Sequence, residues 1–63
     1  MTDLYVAGED ISAESSVVIS MIDGKAYVAG EHAGVYIGDA VENLRQGFRI
    51  AVQPNGNIRE DDA

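Results

Sequence analysis

The aliphatic side chains of this chain are almost all β-branched: seven Val and six Ile against two Leu. Two heavy atoms on Cβ stiffen χ1 and suit a pleated surface better than a helix. Glycine punctuates these runs, and two glycines stand in hairpin signals. Asp23-Gly24 follows the strand-like stretch 17–22, and Pro54-Asn55-Gly56 follows 48–52. Pro presets φ, while Asn and Gly tolerate the positive φ of a tight turn. The pattern predicts strands over 4–7, 17–22, 25–29, 35–37, 48–52 and 57–59.

Helix has little room. Residues 9–16 read as a loop anchored by Ile11, with Asp10 or Ser12 able to cap a single turn. Residues 39–46 allow at most one short helical turn: Asp39 as N-cap, Glu42 three residues on, Val41 and Leu44 on one face, Gly47 as the stop. The alternative is an irregular connection in which Val41 and Leu44 plug the core. An internal repeat is also visible. Gly8 to Ile11, Val17 to Ile19 and Asp23-Gly24 resemble Gly38 to Val41, Phe48 to Ile50 and Asn55-Gly56, with an offset drifting from 30 to 32. The expected fold class is therefore all-β, a small β-barrel or β-clip built from two hairpin-like units. Residues 1–63 form a single domain, 1–6 an edge strand or an N-terminal arm, and 60–63 an acidic, disordered tail.

A chain of 63 residues buries only about 60 % of the surface its unfolded form exposes. With no cysteine it has neither a disulfide nor a cysteine-based zinc or iron–sulfur site. Association with copies of itself or with a larger body is the remaining stabilising device.

Charge excludes several partners. Eleven Asp and Glu against four Lys and Arg leave a net charge of −7. Such a surface repels nucleic-acid phosphates and anionic membranes, so neither is an expected partner. No run approaches the roughly 18 apolar residues of a membrane span. The acidic start Met1-Thr2-Asp3 lacks the basic and apolar regions of a signal peptide, which predicts synthesis in the cytoplasm. The acid excess serves solubility, or it suits a high-salt, halophilic setting in which salt screens carboxylate repulsion.

Nothing in the residue pattern predicts catalysis, a cofactor or a metal. His32 is the only histidine and sits in a Gly-flanked loop. Without a second histidine or a cysteine, one chain assembles no usual dyad or zinc site. Ser12, Ser15, Ser16 and Ser20 lack the G-x-S-x-G context of a nucleophile elbow. Glu9-Asp10 and Asp61-Asp62 lack the spacing of a calcium loop. Gly34 to Gly38 lacks the Lys and Ser/Thr of a P-loop. The chain reads as a non-enzyme. Of the basic residues, Arg49 lies in a predicted strand on the face opposite Phe48, Ile50 and Val52. Arg45, Arg49 and Arg59 serve either interface pairs or local salt bridges with Glu42 or Glu60.

Taken together, Ala7-Gly8-Glu9-Asp10-Ile11, Val17-Val18, Asp23-Gly24-Lys25, Ile37-Gly38-Asp39-Ala40, Gly47, Ile50-Ala51-Val52 and Gly56 resemble the small capsid decoration, or cement, proteins of tailed viruses. The resemblance spans about residues 7–58. The chain departs from it at Ser16, where those proteins often have Gly, and at Phe48 and Arg49, which are bulkier than usual. The resemblance implies a small β-barrel or β-clip on the exterior of a virion shell, commonly a homotrimer, bridging and stabilising major capsid proteins without an active site. A halophilic host would suit the acidity. The expected interface residues, by type and place, are Leu4, Tyr5 and Val6 in the arm, with Tyr36, Phe48 and Arg49. The alternative expectation is a small acidic β-barrel that binds a protein partner in a cytoplasmic complex.

Overall fold

The β-branched runs do form strands. In a computed structural model, which describes residues 3–61, six strands make one mixed sheet. They are β1 (Asp3–Val6), β2 (Ser16–Ser20), β3 (Ala26–Val28), β4 (Gly34–Ala40), β5 (Arg49–Val52) and β6 (Asn57–Glu60). Their order across the sheet is β1-β5-β6-β4-β2-β3. All neighbours are antiparallel except β4 and β6. The two outer strands then meet: Ala7 forms a parallel bridge with Ala26, and the Gly8 amide donates to the Ala26 carbonyl at 2.8 Å. The sheet closes on itself as a small barrel, which removes most of its edge. The fold is all-β, as the composition predicts.

No helix occurs among the described residues. Asp39 and Ala40 finish β4 instead of opening a turn, and the segment after them is irregular. Leu44 plugs the core, but Val41 is half exposed. At the N-terminal end, residues 3–6 are an edge strand paired with β5 and not a free arm. At the other end, Glu60 closes β6 and Asp61 is ordered by its amide bond to the Arg49 carbonyl at 2.9 Å. Met1, Thr2, Asp62 and Ala63 lie outside the described residues.

The repeat is real in the hydrogen bonding, but its register differs from the one the glycines suggest. Ala7 and Ala40, Ile11 and Leu44, Glu14 and Gly47 stand 33 positions apart and play matching roles. The Glu14 amide donates to Ala40 (2.7 Å) as the Gly47 amide donates to Ala7 (2.8 Å). The Ala40 amide donates to Ser15 as the Ala7 amide donates to Phe48. Ile11 and Leu44 exchange both backbone bonds, at 2.8 and 2.7 Å, and so lie on the pseudo-twofold axis. The eight residues of the buried cluster form four such pairs: Ala7/Ala40, Ile11/Leu44, Val17/Ile50 and Ala26/Ile58. The offset falls by one at the hairpins, because Met21-Ile22 in the first stands against Pro54 alone in the second. The glycine-based alignment is three residues out at its start, because Gly8 matches Val41 and not Gly38, whereas its match of Asp23-Gly24 with Asn55-Gly56 holds. Matched residues need the same neighbours, not the same type.

The symmetry exposes one strained position. Gly47 has φ 86°, and its counterpart Glu14 has φ 72°, the only positive φ of a non-Gly residue among those described. The left-handed region costs a residue with a Cβ about 1–2 kcal/mol. Glu14→Gly is therefore expected to stabilise the domain by up to about 1 kcal/mol, after the extra chain entropy of Gly is subtracted. Gly47→Ala is expected to destabilise it by about 1–2 kcal/mol. Urea denaturation of the two variants checks this: shifts of the same sign would contradict the strain account.

Candidate functional site

The six residues expected at an interface separate into groups. Along β1 the exposed side chains Leu4 and Val6 stand on the outer face, opposite Ala51 and Arg49 of β5. Phe48, just before β5, is also exposed. The strand starts only after the Gly47 turn, so Phe48 escapes the core face on which strict alternation would place it. The Arg45 guanidinium lies over its ring at 5.8 Å. The Arg49 guanidinium, mostly exposed, reaches the Asp61 carboxylate at 3.1 Å. Its partner is neither Glu42 nor Glu60, whose carboxylates accept backbone amides, from Glu60 (3.1 Å) and Arg45 (3.2 Å) respectively. Leu4, Val6 and Arg49 thus share the outer face of the β1–β5 ladder, and Phe48 is exposed one residue before it.

Tyr5 does not join them. It alternates inward and packs half-buried against the core. Tyr36 is exposed but belongs to β4, where it pairs with Val18 as Leu4 pairs with Ala51. It is the pseudo-equivalent of Leu4 in the other half. Its hydroxyl donates to Asp39 Oδ1 at 3.0 Å, and that bond raises the phenol pKa. Besides Val41, three further exposed apolar residues escape sequence reasoning: Met21, Ile22 and Val35. The strand-like stretch 17–22 concealed the first two, because β2 ends at Ser20 and its last two predicted residues become the hairpin tip.

The arginines break the pseudo-symmetry. All three lie in the second half, where their first-half counterparts are Ser12, Ser16 and Tyr27. The outer β1–β5 face and the Phe48 ring therefore combine apolar side chains with guanidinium groups on an otherwise acidic molecule.

His32 belongs to a small aromatic cluster beside β3, near Glu9. Its ring stacks on Tyr27 with centroids 4.1 Å apart, and its Nε2 lies 3.8 Å from Glu9 Oε2. Glu9 Oε2 also accepts the Val28 amide at 2.9 Å. The Tyr27 hydroxyl donates to Asp23 Oδ2 at 2.5 Å. That bond holds the Asp23 carboxyl below its ordinary range and pushes the Tyr27 hydroxyl up. Among the described residues, no group of three or more His, Cys, Asp or Glu side chains is placed to hold a metal. The imidazole is positioned by stacking, and no hydroxyl is hydrogen-bonded to it among those residues, as a general base and its nucleophile would require.

A cleft of about 250 Å³ opens on the pseudo-twofold axis, lined by Asp10, Ile11, Ser12, Asn43, Leu44 and Arg45. Its two polar caps are already engaged. Asp10 Oδ1 accepts the Gln46 amide (2.7 Å), and Asn43 Oδ1 accepts the Ala13 amide (2.8 Å). These caps tie one half of the barrel to the other. A sequence signal for them exists: the triplets Glu9-Asp10-Ile11 and Glu42-Asn43-Leu44 repeat the order Glu, Asx, aliphatic.

No family model, curated protein or solved structure matches the chain. The surface itself then carries the functional reading. Side chains such as Glu9, Asp10 and Asn43 tie distant segments of the barrel together, whereas Leu4, Tyr36 and Phe48 are exposed.

Proposed function

We propose that the chain is a structural protein, a capsid decoration protein that binds the outside of a virion shell and braces neighbouring major capsid proteins. The observation that carries the reading is the apolar content of the surface. Eight large apolar residues are exposed among the described residues of a chain with a net charge of −7. Scattered exposed apolar residues are ordinary. Here, however, Leu4 and Val6 lie with Arg49 on the outer face of the β1–β5 ladder, and the exposed Phe48 next to Arg49 in the chain has Arg45 over its ring. Aromatic and Arg side chains together are the composition of an interface core. The resemblance of residues 7–58 to tailed-virus cement proteins supplies the partner class. The partner surface that fits is apolar and carries carboxylates able to meet the guanidinium groups.

The test is particle composition. Purified virions are expected to contain the chain in a fixed ratio to the major capsid protein, and stripped shells are expected to regain heat resistance when it is added back. Leu4→Ser with Phe48→Ser is expected to abolish re-binding while leaving the fold intact, because changes at exposed positions usually stay within about 0.5 kcal/mol. Deleting residues 1–6 is the wrong probe, since it removes β1. Particles that lack the chain altogether would overturn the reading.

A further inference from the structure

One stretch of the barrel is left without a neighbour. β4 pairs with β2 from Gly34 onward but with β6 only at Asp39 and Ala40. Among the described residues, no strand lies beside the outer edge of β4 at 34–37. Backbone direction there follows from the next ladder. Ala29 donates to Ser16, and Ser20 donates to Lys25, so the peptide groups of Ser16, Val18 and Ser20 face β3. Those of Val17 and Ile19 then face β4. Ile19 stands opposite Val35, so Val35 bonds to β2, and Gly34 and Tyr36 present their N–H and C=O groups to the open edge.

Natural edges are shielded by charge, Pro or a bulge that turns them away; the one irregularity of β4 lies where its register against β2 shifts between Tyr36 and Gly38, past the segment 34–36. The stretch 33–38, Ala-Gly-Val-Tyr-Ile-Gly, has no charged residue, in a chain where 24 % of residues are charged. Val35 and Tyr36 are 55 % and 56 % exposed. Ser20 pairs with Gly34, which brings the hairpin tip beside them, and there Met21 and Ile22 are 79 % and 95 % exposed. Half of the exposed large apolar residues among those described are gathered around this one edge.

We propose that the open edge of β4 pairs with the same edge of a second copy, antiparallel, to form a twofold dimer. The edge is self-complementary. With Val35 on the twofold axis, Gly34 faces Tyr36 of the second copy and Tyr36 faces its Gly34. Each of these two pairs joins peptide groups that already point outward, so the dimer gains four N–H···O bonds. Each Tyr36 ring covers the glycine opposite, the arrangement that protects edge glycines. Charge selects the same place. Two chains of net −7 repel, and this uncharged stretch lets them approach without carboxylates inside the paired segment, Glu31 and Asp39 lying outside it. The dimer tightens as salt screens the remaining repulsion. This inference does not depend on the capsid reading, because it concerns the isolated chain.

Sedimentation equilibrium of the purified chain, at low and high salt, tests it. The expected result is a monomer–dimer equilibrium that shifts toward dimer with added salt. Val35→Lys, which places a charge on the axis, is expected to weaken it about tenfold or more, a loss of about 1.4 kcal/mol or greater. Amide exchange gives a second readout that does not depend on a variant folding. The Gly34 and Tyr36 amides slow as concentration rises, whereas the Val35 amide, already bonded to β2, does not change. A chain that stays monomeric at every concentration and salt level would overturn the proposal. So would an oligomer of any order that ignores Val35→Lys and leaves the Gly34 and Tyr36 amides exchanging as in the monomer.

Discussion

Gly38→Ala is expected to leave the chain unfolded under conditions in which the unsubstituted protein is folded. A Cβ at residue 38 would stand 1.7 Å from the carbonyl oxygen of Gly56 and 2.7 Å from its carbonyl carbon. Both are backbone atoms, so no side chain can turn aside. Relief requires β4 and β6 to part. That breaks the parallel contact at Asp39 and Ala40, including the bonds from Asp39 to Gly56 (3.1 Å) and from Val41 to Ile58 (2.8 Å). Clashes and broken ladders of this kind exceed about 4 kcal/mol. Single domains have about 5–15 kcal/mol in total, and one this small sits low in that range. Far-UV circular dichroism and amide NMR dispersion measure the outcome. A Gly38→Ala variant with native dispersion and an unshifted melting temperature would show that the β4–β6 contact does not close the barrel.

The pseudo-equivalent of Gly38 is Tyr5: Gly38 pairs with Val17 as Tyr5 pairs with Ile50. A large side chain is accommodated there because β1 and β3 meet at a single bridge, Ala7 with Ala26. The barrel is thus closed tightly on one side and loosely on the other. The same substitution logic applied to Tyr5 predicts no comparable clash.

Leu44→Ala is the second large effect. Leu44 is 1 % exposed and, with Ile11, occupies the centre of the buried cluster. The two residues are also joined by reciprocal backbone bonds, so the cavity cannot be filled by sliding the segments together. Burial of this kind predicts a loss of about 2–5 kcal/mol. Ile11→Ala is expected to lose a similar amount, and the double variant less than the sum, because the side chains share one cavity. Urea titration at constant m-value measures it. A loss below about 1 kcal/mol for either single variant would mean that the two halves do not depend on this axial contact.

Much of the fold was legible in residue type. β-branched runs of four to six residues, broken by Asp-Gly and Asn-Gly, define the hairpins because each turn fixes the register of the strands beside it. The chemistry that the chain's residue inventory excludes was legible too: cysteine-based metal sites need cysteine. The repeat was detectable but misaligned, since glycines mark local backbone needs and the two halves have different ones. Gly38 answers a close approach by Gly56, which nothing at Gly8 reproduces; a Cβ there would instead meet the ring of Tyr27.

The candidate surface was legible only in part. Exposure of Leu4, Val6 and Arg49 followed from period two along β1 and β5 once the strands were known. Phe48 left the core side because β5 begins one residue later than the apolar pattern implied. Tyr5 turned inward through the same alternation that turned its neighbours out.

By itself, the order of β-branched residues, glycines and acids determined an all-β chain of two hairpin units with an acidic surface and no cysteine chemistry. These are consequences of local torsional preference and of net charge, which act along the chain. The tertiary structure alone decided the 33-residue register, the axial Ile11–Leu44 contact, the pairing of Arg49 with Asp61, and the uncharged open edge of β4. Each depends on which distant segments meet, and a backbone group or side chain is satisfied or exposed only after those meetings are made.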